Sequence, residues 1–348
     1  MAFAISVLTK EALIAAQEVI NAQSQRFPLF SFFEREQYEG EKLEIRIKVV
    51  DSEVGRFTTS DGPAHLVRPG TLTTVKVEPL YHRPMIKWTS GDLSLFADWD
   101  QVRKMAGPAS EALQAQVSRK ITESLDDASL GARETMHDML AGALLGSNTY
   151  QVDDQSVTVN YGHPTLTDPG TAWTDAAATI VEDIYASIDE FIQQSDGVPP
   201  DTVFYNPRAW SRYFVPNTEF RGFIVANPDL ARAFGVKGSP NDMVADNEGT
   251  FVDPMFGLQW VPIAGPHIKA GSTAQRWPVN VLAFASLRQD AKRVLEHSMT
   301  RDQYNPAATF SWETFEQDEP KGTYSRYSDN GAAVVLIPGR VQLFDAEP

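Results

Sequence analysis

SEALQAQVSRKITESLDDASLGARETMHDMLAGALL, residues 110–145, is the strongest single element in the sequence. It contains no proline, and only Gly131 and Gly142 interrupt it. Leu113, Val117, Ile121, Leu125, Ala128, Ala132, Met136, Met139 and Ala143 recur at spacings of three and four, which marks one face of an α-helix. Lys120, Glu123, Asp126, Asp127, Glu134 and Asp138 populate the other side. At about 1.5 Å per residue the run is about 50 Å long. A compact chain of this size has a diameter of about 50 Å. One helix would therefore cross the whole molecule as a spine, unless Gly131 splits it.

On the carboxyl side, a connector rich in Pro, Gly and Thr, YGHPTLTDPGT at 161–171, separates this half from the next. A helix is expected over Trp173–Gln194, with Ala177, Ile180, Val181, Ile184, Ile188, Phe191 and Ile192 as its stripe and Gly197 ending it. Thr202–Tyr205 reads as a short buried strand. Asn206-Pro207 then supplies an N-cap followed by proline at the first helical position, and Asn227-Pro228 repeats the device. Strands are expected at 257–264, at 280–287 (NVLAFASL, apolar enough to be central), and at 308–315, 321–328 and 332–337. Asn330-Gly331 reads as the hairpin turn between the last two.

On the amino side, Thr9–Gln23 reads as a helix with Ala12, Leu13, Ala16, Val19 and Ile20 on one face. Phe27, Leu29, Phe30, Phe32 and Phe33 follow, closed by Glu34-Arg35-Glu36. So many aromatic rings need a partner surface, either the chain's own core or another subunit, and their place near the terminus favours the second. LEIRIKVV at 43–50 alternates cleanly as a half-buried strand, as does TLTTVKVEPL at 71–80. Residues 51–70 between them are too long for an ordinary loop in a compact domain and read as the far part of a projecting two-stranded arm. The whole is an α+β organisation without internal repeats.

Composition narrows the function classes. The chain has 348 residues, no cysteine and a formal net charge of −16. Disulfides, thiolate nucleophiles and cysteine-ligated metals are excluded, and the charge argues against a general nucleic-acid grip. No run of 18 apolar residues occurs, and MAFAISVLTKEALIAAQ lacks the flanks of a signal peptide, so a soluble intracellular chain is expected. His65, His82, His137, His163, His267 and His297 stand singly, outside any metal spacing. Asp153-Asp154 and His163 with Asp168 fall in turn-like sequence. Glu296-His297 near Arg301-Asp302 reads as a solvated ion-pair network. Nucleophile-elbow, phosphate-loop and dinucleotide motifs are absent, so no catalytic, cofactor or metal residue is assigned. The carboxylates required of a glycosidase are too easily found among 46 acidic residues to carry information. Arg56 and Arg68 lie in the arm, and the acidic strip Glu313, Glu316, Asp318 and Glu319 is their natural counterpart by sign. With Phe27, Phe30, Phe32 and Phe33, these residues are the candidate contacts between subunits.

In their order along the chain, four segments carry a resemblance. They are LFSFFEREQYEGEKLEI (29–45), VRPGTLTTVKVEPLYHRP (67–84), ITESLDDASLGARETMHDMLAGALLGSNTY (121–150) and VFYNPRAWSRY (203–213). Together with length and segment order, the chain resembles the major capsid proteins of tailed bacteriophages, and more narrowly the lambda major head protein family. That resemblance implies an HK97-like fold. Residues 1–40 would be the N-terminal arm, 41–90 the extended loop and its base, and 91–160 the spine helix and peripheral domain. Residues 165–290 would be the axial domain, and 291–348 the return to the peripheral domain. It also implies a homo-oligomer of hexamers and pentamers without enzyme activity or cofactor, assembled in the host cytoplasm into the virion shell. The shell would enclose double-stranded DNA without sequence-specific binding and without a membrane. Its partners would be a portal protein, a decoration protein in some members, and a scaffolding protein that is separate, because the amino arm is short for a fused one. The Lys–Asn crosslink of one branch is not implied. Two rival readings are an encapsulin-like shell protein and an acid-site hydrolase.

Overall fold

The computed structural model describes residues 8–23, 27–38, 43–48, 72–77, 80–102, 108–152, 155–226, 236–237, 244–245, 250–253, 255–263, 277–288, 293–300, 310–318 and 321–348. In chain order, α1 (Lys10–Gln23) leads through a tight helical turn at Pro28–Ser31 to β1 (Glu34–Tyr38). Then follow β2 (Leu43–Lys48), β3 (Leu72–Val77), β4 (Leu80–His82), β5 (Met85–Trp88), α2 (Ser90–Val102) and α3 (Pro108–Leu144). After β6 (Ser147–Val152) and β7 (Gln155–Asn160) come α4 (Ile180–Gln194), β8 (Thr202–Tyr205), α5 (Pro207–Ala209) and α6 (Thr218–Ala226). The remainder is β9 (Val236–Lys237), β10 (Val244–Ala245), β11 (Phe251–Val252), β12 (Gln259–Pro262), β13 (Val281–Ala285), β14 (Leu295–Thr300), β15 (Phe310–Asp318), β16 (Lys321–Val335) and β17 (Val341–Asp345).

The spine is one helix of 37 residues. Gly131 does not break it: the residue is exposed, and a Cβ there would meet nothing within 4 Å. Two sheets flank it. The first has the order β1-β14-β16-β15, with β4 and β5 also pairing along β16. The second has the order β11-β12-β8-β13-β17. Among the described residues, three apolar cores follow from this layout. Val117, Ile121 and Leu125 of α3 meet Leu13, Trp88, Phe96, Trp312 and Tyr327. Met136, Leu140 and Leu144, further along the same helix, meet residues of both sheets, among them Phe204, Ala283, Leu295 and Val335. The other side of the second sheet is packed by Trp173, Ile184, Phe191, Trp210 and Phe214.

Four expectations change. Asn330-Gly331 is not a hairpin turn: β16 runs straight through it, with Asn330 opposite Tyr81 and Gly331 opposite Leu80. The two halves of β16 have different partners, β15 and β5 for the first and β14 for the second, so they never fold onto each other. The glycine serves close packing, since a Cβ at Gly331 would overlap His297 Nε2 and sit 2.8 Å from its Cδ2. The second helix starts at Ile180 and not at Trp173. Trp173 is buried, donating its backbone N–H to Ala346 and its indole N–H to Asp183 (2.9 Å each), which holds 173–179 as turns. The Glu219 carboxylate, from α6, accepts the Val181 N–H at the true helix start (3.2 Å). An unexpected helix, α2, is announced by a capping box: Thr89 Oγ1 accepts Asp92 N–H (3.2 Å) while the Asp92 carboxylate accepts Thr89 N–H (3.0 Å). Finally, the stretch 291–348, expected to stay with the first lobe, divides: β14, β15 and β16 belong to the first sheet, whereas β17 pairs antiparallel with β13 in the second.

Other expectations agree with the structure. Asn206 Oδ1 accepts Arg208 N–H (2.9 Å), the cap read from Asn-Pro. The chain then winds into a π-helical turn at Trp210–Phe214, which stacks Trp210 on Phe214 (4.8 Å) inside the second core. β2 and β3 pair antiparallel from Leu43↔Val77 to Lys48↔Leu72. Residues 51–70 and Asn227-Pro228 lie outside the described residues.

Candidate functional site

The residues singled out in the sequence fall into two places. The first is the amino segment 27–38. Pro28 opens a helical turn that Ser31 closes by donating its hydroxyl to Pro28 O (2.7 Å). This turn throws alternate rings in different directions. Phe27 lies between the Arg133 guanidinium (5.5 Å) and His137 (5.5 Å) of the spine. Phe30 touches His137 (6.1 Å) and His297 (6.4 Å). Phe32 sets its edge on Phe204 of the second sheet (5.3 Å). Phe27 and Phe33 are buried within the chain's own core, while Phe30 and Phe32 are half-buried. The cluster therefore joins spine, first sheet and second sheet within one copy, and only Phe30 and Phe32 keep surface for a neighbour.

β1 then pairs in parallel with β14, from Glu34↔Glu296 to Tyr38↔Thr300. Strand alternation sends Glu34, Glu36 and Glu296 to one face, where all three meet Arg293 (2.6, 2.7 and 3.3 Å). These carboxylates, Glu36 foremost, hold the Arg293 pKa above its ordinary range. Arg35 goes to the other face, over the Phe30 ring (5.9 Å). The Glu296-His297 pair, expected to be solvated, is buried: β1 covers it, leaving Glu296 2% and His297 3% exposed. Sequence reasoning missed Arg293 because two of its three acidic partners, Glu34 and Glu36, lie 259 and 257 positions away, across a parallel pairing with no local signature.

The second place is β15. Glu313 and Glu316 belong to one acidic strip in the sequence, but a spacing of three on a strand sends them to opposite faces. Glu313 pairs with Arg326 across the ladder (2.5 Å), and Arg326 also lies over Phe315 (5.5 Å). Phe315 stacks on Tyr324 (6.0 Å), which carries Lys87 on its ring (5.8 Å). Exposed Met85 sits opposite Arg326. Glu316 is exposed. Arg56, Arg68 and Glu319 lie outside the described residues, as do His65, His267, Arg301 and Asp302.

Chemistry-bearing side chains elsewhere serve packing and capping. His163 Nε2 donates to Ala143 O in the last turn of the spine (2.7 Å) and Asn148 Nδ2 to Met139 O one turn earlier (2.6 Å), so both tie the end of the spine to the chain that follows it. Burial lowers the His163 pKa to about 4, against the upward pull of that hydrogen bond. Asp253, fully buried and raised by desolvation, accepts Met255 N–H, Phe256 N–H and the Trp260 indole (2.9, 2.6 and 2.5 Å) to fix a turn. Among the described residues no three His, Asp or Glu come together as a metal-holding group. None of the described helices is long and apolar enough to cross a membrane. Among the described residues of the second lobe, Tyr185, Phe223 and Val252 are large apolar side chains that stand 46%, 41% and 59% exposed.

Against known families, residues 9–223 match the model described as phage major capsid protein E. No curated protein matches the sequence. Among solved structures, a provisionally assigned prophage capsid protein of E. coli CFT073 superimposes with a TM-score of 0.58 at 14% identity, covering 97% of this chain and 99% of that one. A phage-related protein of Bordetella bronchiseptica RB50 gives a TM-score of 0.52 at 11% identity, covering 96% of both chains. At such identities the likeness is one of fold, and it takes in both sheets and the spine between them.

Proposed function

The chain belongs to the phage major capsid protein E family, and from that premise we propose that it is the major head protein that encloses the double-stranded DNA of a tailed bacteriophage. It is a shell-forming structural protein with an α+β fold of the HK97 capsid type. The observation that carries the finer reading is the extent of the family match, which runs from α1 through the arm and the spine into α6 of the second lobe. Two structural features support it. β2 and β3 form a sheet of their own with no third strand among the described residues, and a two-stranded ribbon is marginal in water without cover. A neighbouring copy would supply that cover. Tyr185, Phe223 and Val252 give the second lobe exposed apolar surface of the kind that copies bury around a symmetry axis.

In this reading the domains are those expected from the resemblance, with 341–345 assigned to the axial domain. Copies form hexamers and pentamers, assembled in the host cytoplasm with a separate scaffolding protein and a portal, and in some lineages with a decoration protein. Placement within the lambda branch belongs to the same proposal. Phe30, Phe32, Glu313 and Glu316 offer surface to a neighbour, and Arg56 and Arg68 are the proposed counter-charges of the last two. A charge of −16 per copy keeps the wall from gripping phosphate wherever it faces inward. Negative-stain electron microscopy of the purified chain, with and without a candidate scaffold, tests the proposal. Icosahedral shells, or hexamers and pentamers, are expected, with fewer of them for Arg68→Glu. A stable monomer under both conditions overturns it, and shells that take up a protein cargo in place of DNA favour the encapsulin-like alternative.

A further inference from the structure

His297 has an unusual setting for an ionisable side chain. It lies on β14 between β1 and β16, 3% exposed. Neither ring nitrogen has a hydrogen-bond partner among the described residues. Beneath the ring Gly331 leaves room that a Cβ would fill, and Met136 of the spine closes the same space. Above it lies the amino segment: Phe30 at 6.4 Å, and Arg35 directly across the parallel ladder. The groups that face it can be named element by element. β1 presents Arg35. α3 presents His137 across the Phe30 ring and Arg133 across Phe27. β16 presents Gly331 and Ala333, which do not titrate. Glu34, Glu36, Glu296 and Arg293 occupy the opposite face of the sheet.

We propose that residues 27–38 form a proton-coupled latch, whose release from the spine and from β14 is accompanied by protonation of His297. With the latch closed, desolvation first and the Arg35 charge second hold the His297 pKa down at about 3, so the ring is neutral. Lifting 27–38 removes Phe30 and Arg35 together and wets the ring, returning it to its ordinary value of 6.5. The open form then binds a proton that the closed form refuses. Closure is at full strength above about pH 6.5 and weakens about tenfold for each unit below it. Because the segment also staples the two sheets through Phe32 and Phe204, its release would loosen their junction while each lobe keeps its own core.

Hydrogen exchange read by mass spectrometry on the full chain tests this. The opening equilibrium of a peptide covering 27–38, corrected for intrinsic rates, is expected to rise about tenfold from pH 7.5 to 5.5. That window lies above the ordinary carboxylate range. A peptide covering 180–194 in the second lobe should not move. His297→Gln should remove the pH dependence of 27–38. A flat profile for 27–38 in the natural chain, a parallel rise at 180–194, or an unchanged slope in a folded His297→Gln would each overturn the latch. The natural chain decides the matter even where the variant does not fold. None of these readouts requires a shell, so the inference stands or falls independently of the proposed function.

Discussion

The two halves of the spine helix follow different rules. Over 108–127 the helix has one wet side: Val117, Ile121 and Leu125 are buried while Glu111, Gln114, Arg119 and Glu123 are exposed. Beyond Ala128 the buried face widens until, from Met136 to Leu144, the helix lies in the junction between the sheets and is buried nearly all round, with Met136, His137, Met139, Leu140, Ala141, Ala143 and Leu144 each at most 5% exposed. A half-wet helix needs only a stripe. A surrounded one must also find partners for every polar group it carries inward. Ser129 accepts the Gln17 amide (3.0 Å), and buried Arg133 pairs with Asp126 (2.5 Å). The first half holds a lobe together, whereas the second holds the molecule together.

Cavity formation should break this contrast most clearly. Leu140 is fully buried at the junction, so Leu140→Ala should cost about 3–5 kcal/mol, with little room for collapse between two sheets. Leu113, half-buried on the amino half, should lose only about 1 kcal/mol on the same substitution. Urea unfolding monitored by tryptophan fluorescence measures both. Equal losses would mean that the two halves are equally embedded.

The same contrast explains what the sequence disclosed. Val117, Ile121 and Leu125 keep their period because solvent on the other side demands polar residues, so the face of the amino half is legible in the sequence. The carboxyl half also read as helix, but DMLAGALL shows no face because it has none. Strand alternation in LEIRIK and the Asn-Pro cap were legible because both are local. The straight passage of β16 through Asn330-Gly331 was not, since it depends on His297 lying over the glycine and on four separate partner strands. The capping box of Thr89 and Asp92 is a local signal and legible in the sequence. For the candidate contacts, a spacing of three in Glu313 and Glu316 could not be interpreted without knowing that the segment is a strand. Arg293 and the burial of His297 were set by a parallel pairing that no local pattern announces.

A titration sharpens the comparison at the far end of the spine. His163 can donate to Ala143 O in either charge state, but burial favours the neutral ring and lowers its pKa from 6.5 to about 4. A folded value below the unfolded one means that the stabilisation is complete above pH 6.5 and is lost as the pH falls toward 4. At pH 5 the loss should be about 2 kcal/mol relative to pH 7.5. Other groups titrate in this range, so the informative quantity is the difference between the natural chain and His163→Gln. The variant keeps an amide donor but has no proton to take up, and its stability should fall less steeply by about that amount. Identical pH profiles for the two proteins would show that the cap does not depend on the neutral imidazole.

The smallest effect separates the halves by sign. Gly131 lies mid-helix and exposed, with open space where a Cβ would go. Gly131→Ala should therefore stabilise the chain by about 0.5–1 kcal/mol, through helix propensity and a less free unfolded chain. Eleven residues on, Gly142 faces the side chain that caps the helix: a Cβ there would overlap Asn148 Oδ1 and lie 2.6 Å from its Cγ. Asn148 is buried and cannot swing aside without giving up Met139 O, so Gly142→Ala should cost about 1–3 kcal/mol despite the same gain in propensity. Opposite signs in thermal unfolding of the two variants would establish that packing, and not helix preference, sets the sequence of the junction half. A gain at both positions would mean that Asn148 is free to leave and that the end of the spine is looser than its geometry implies.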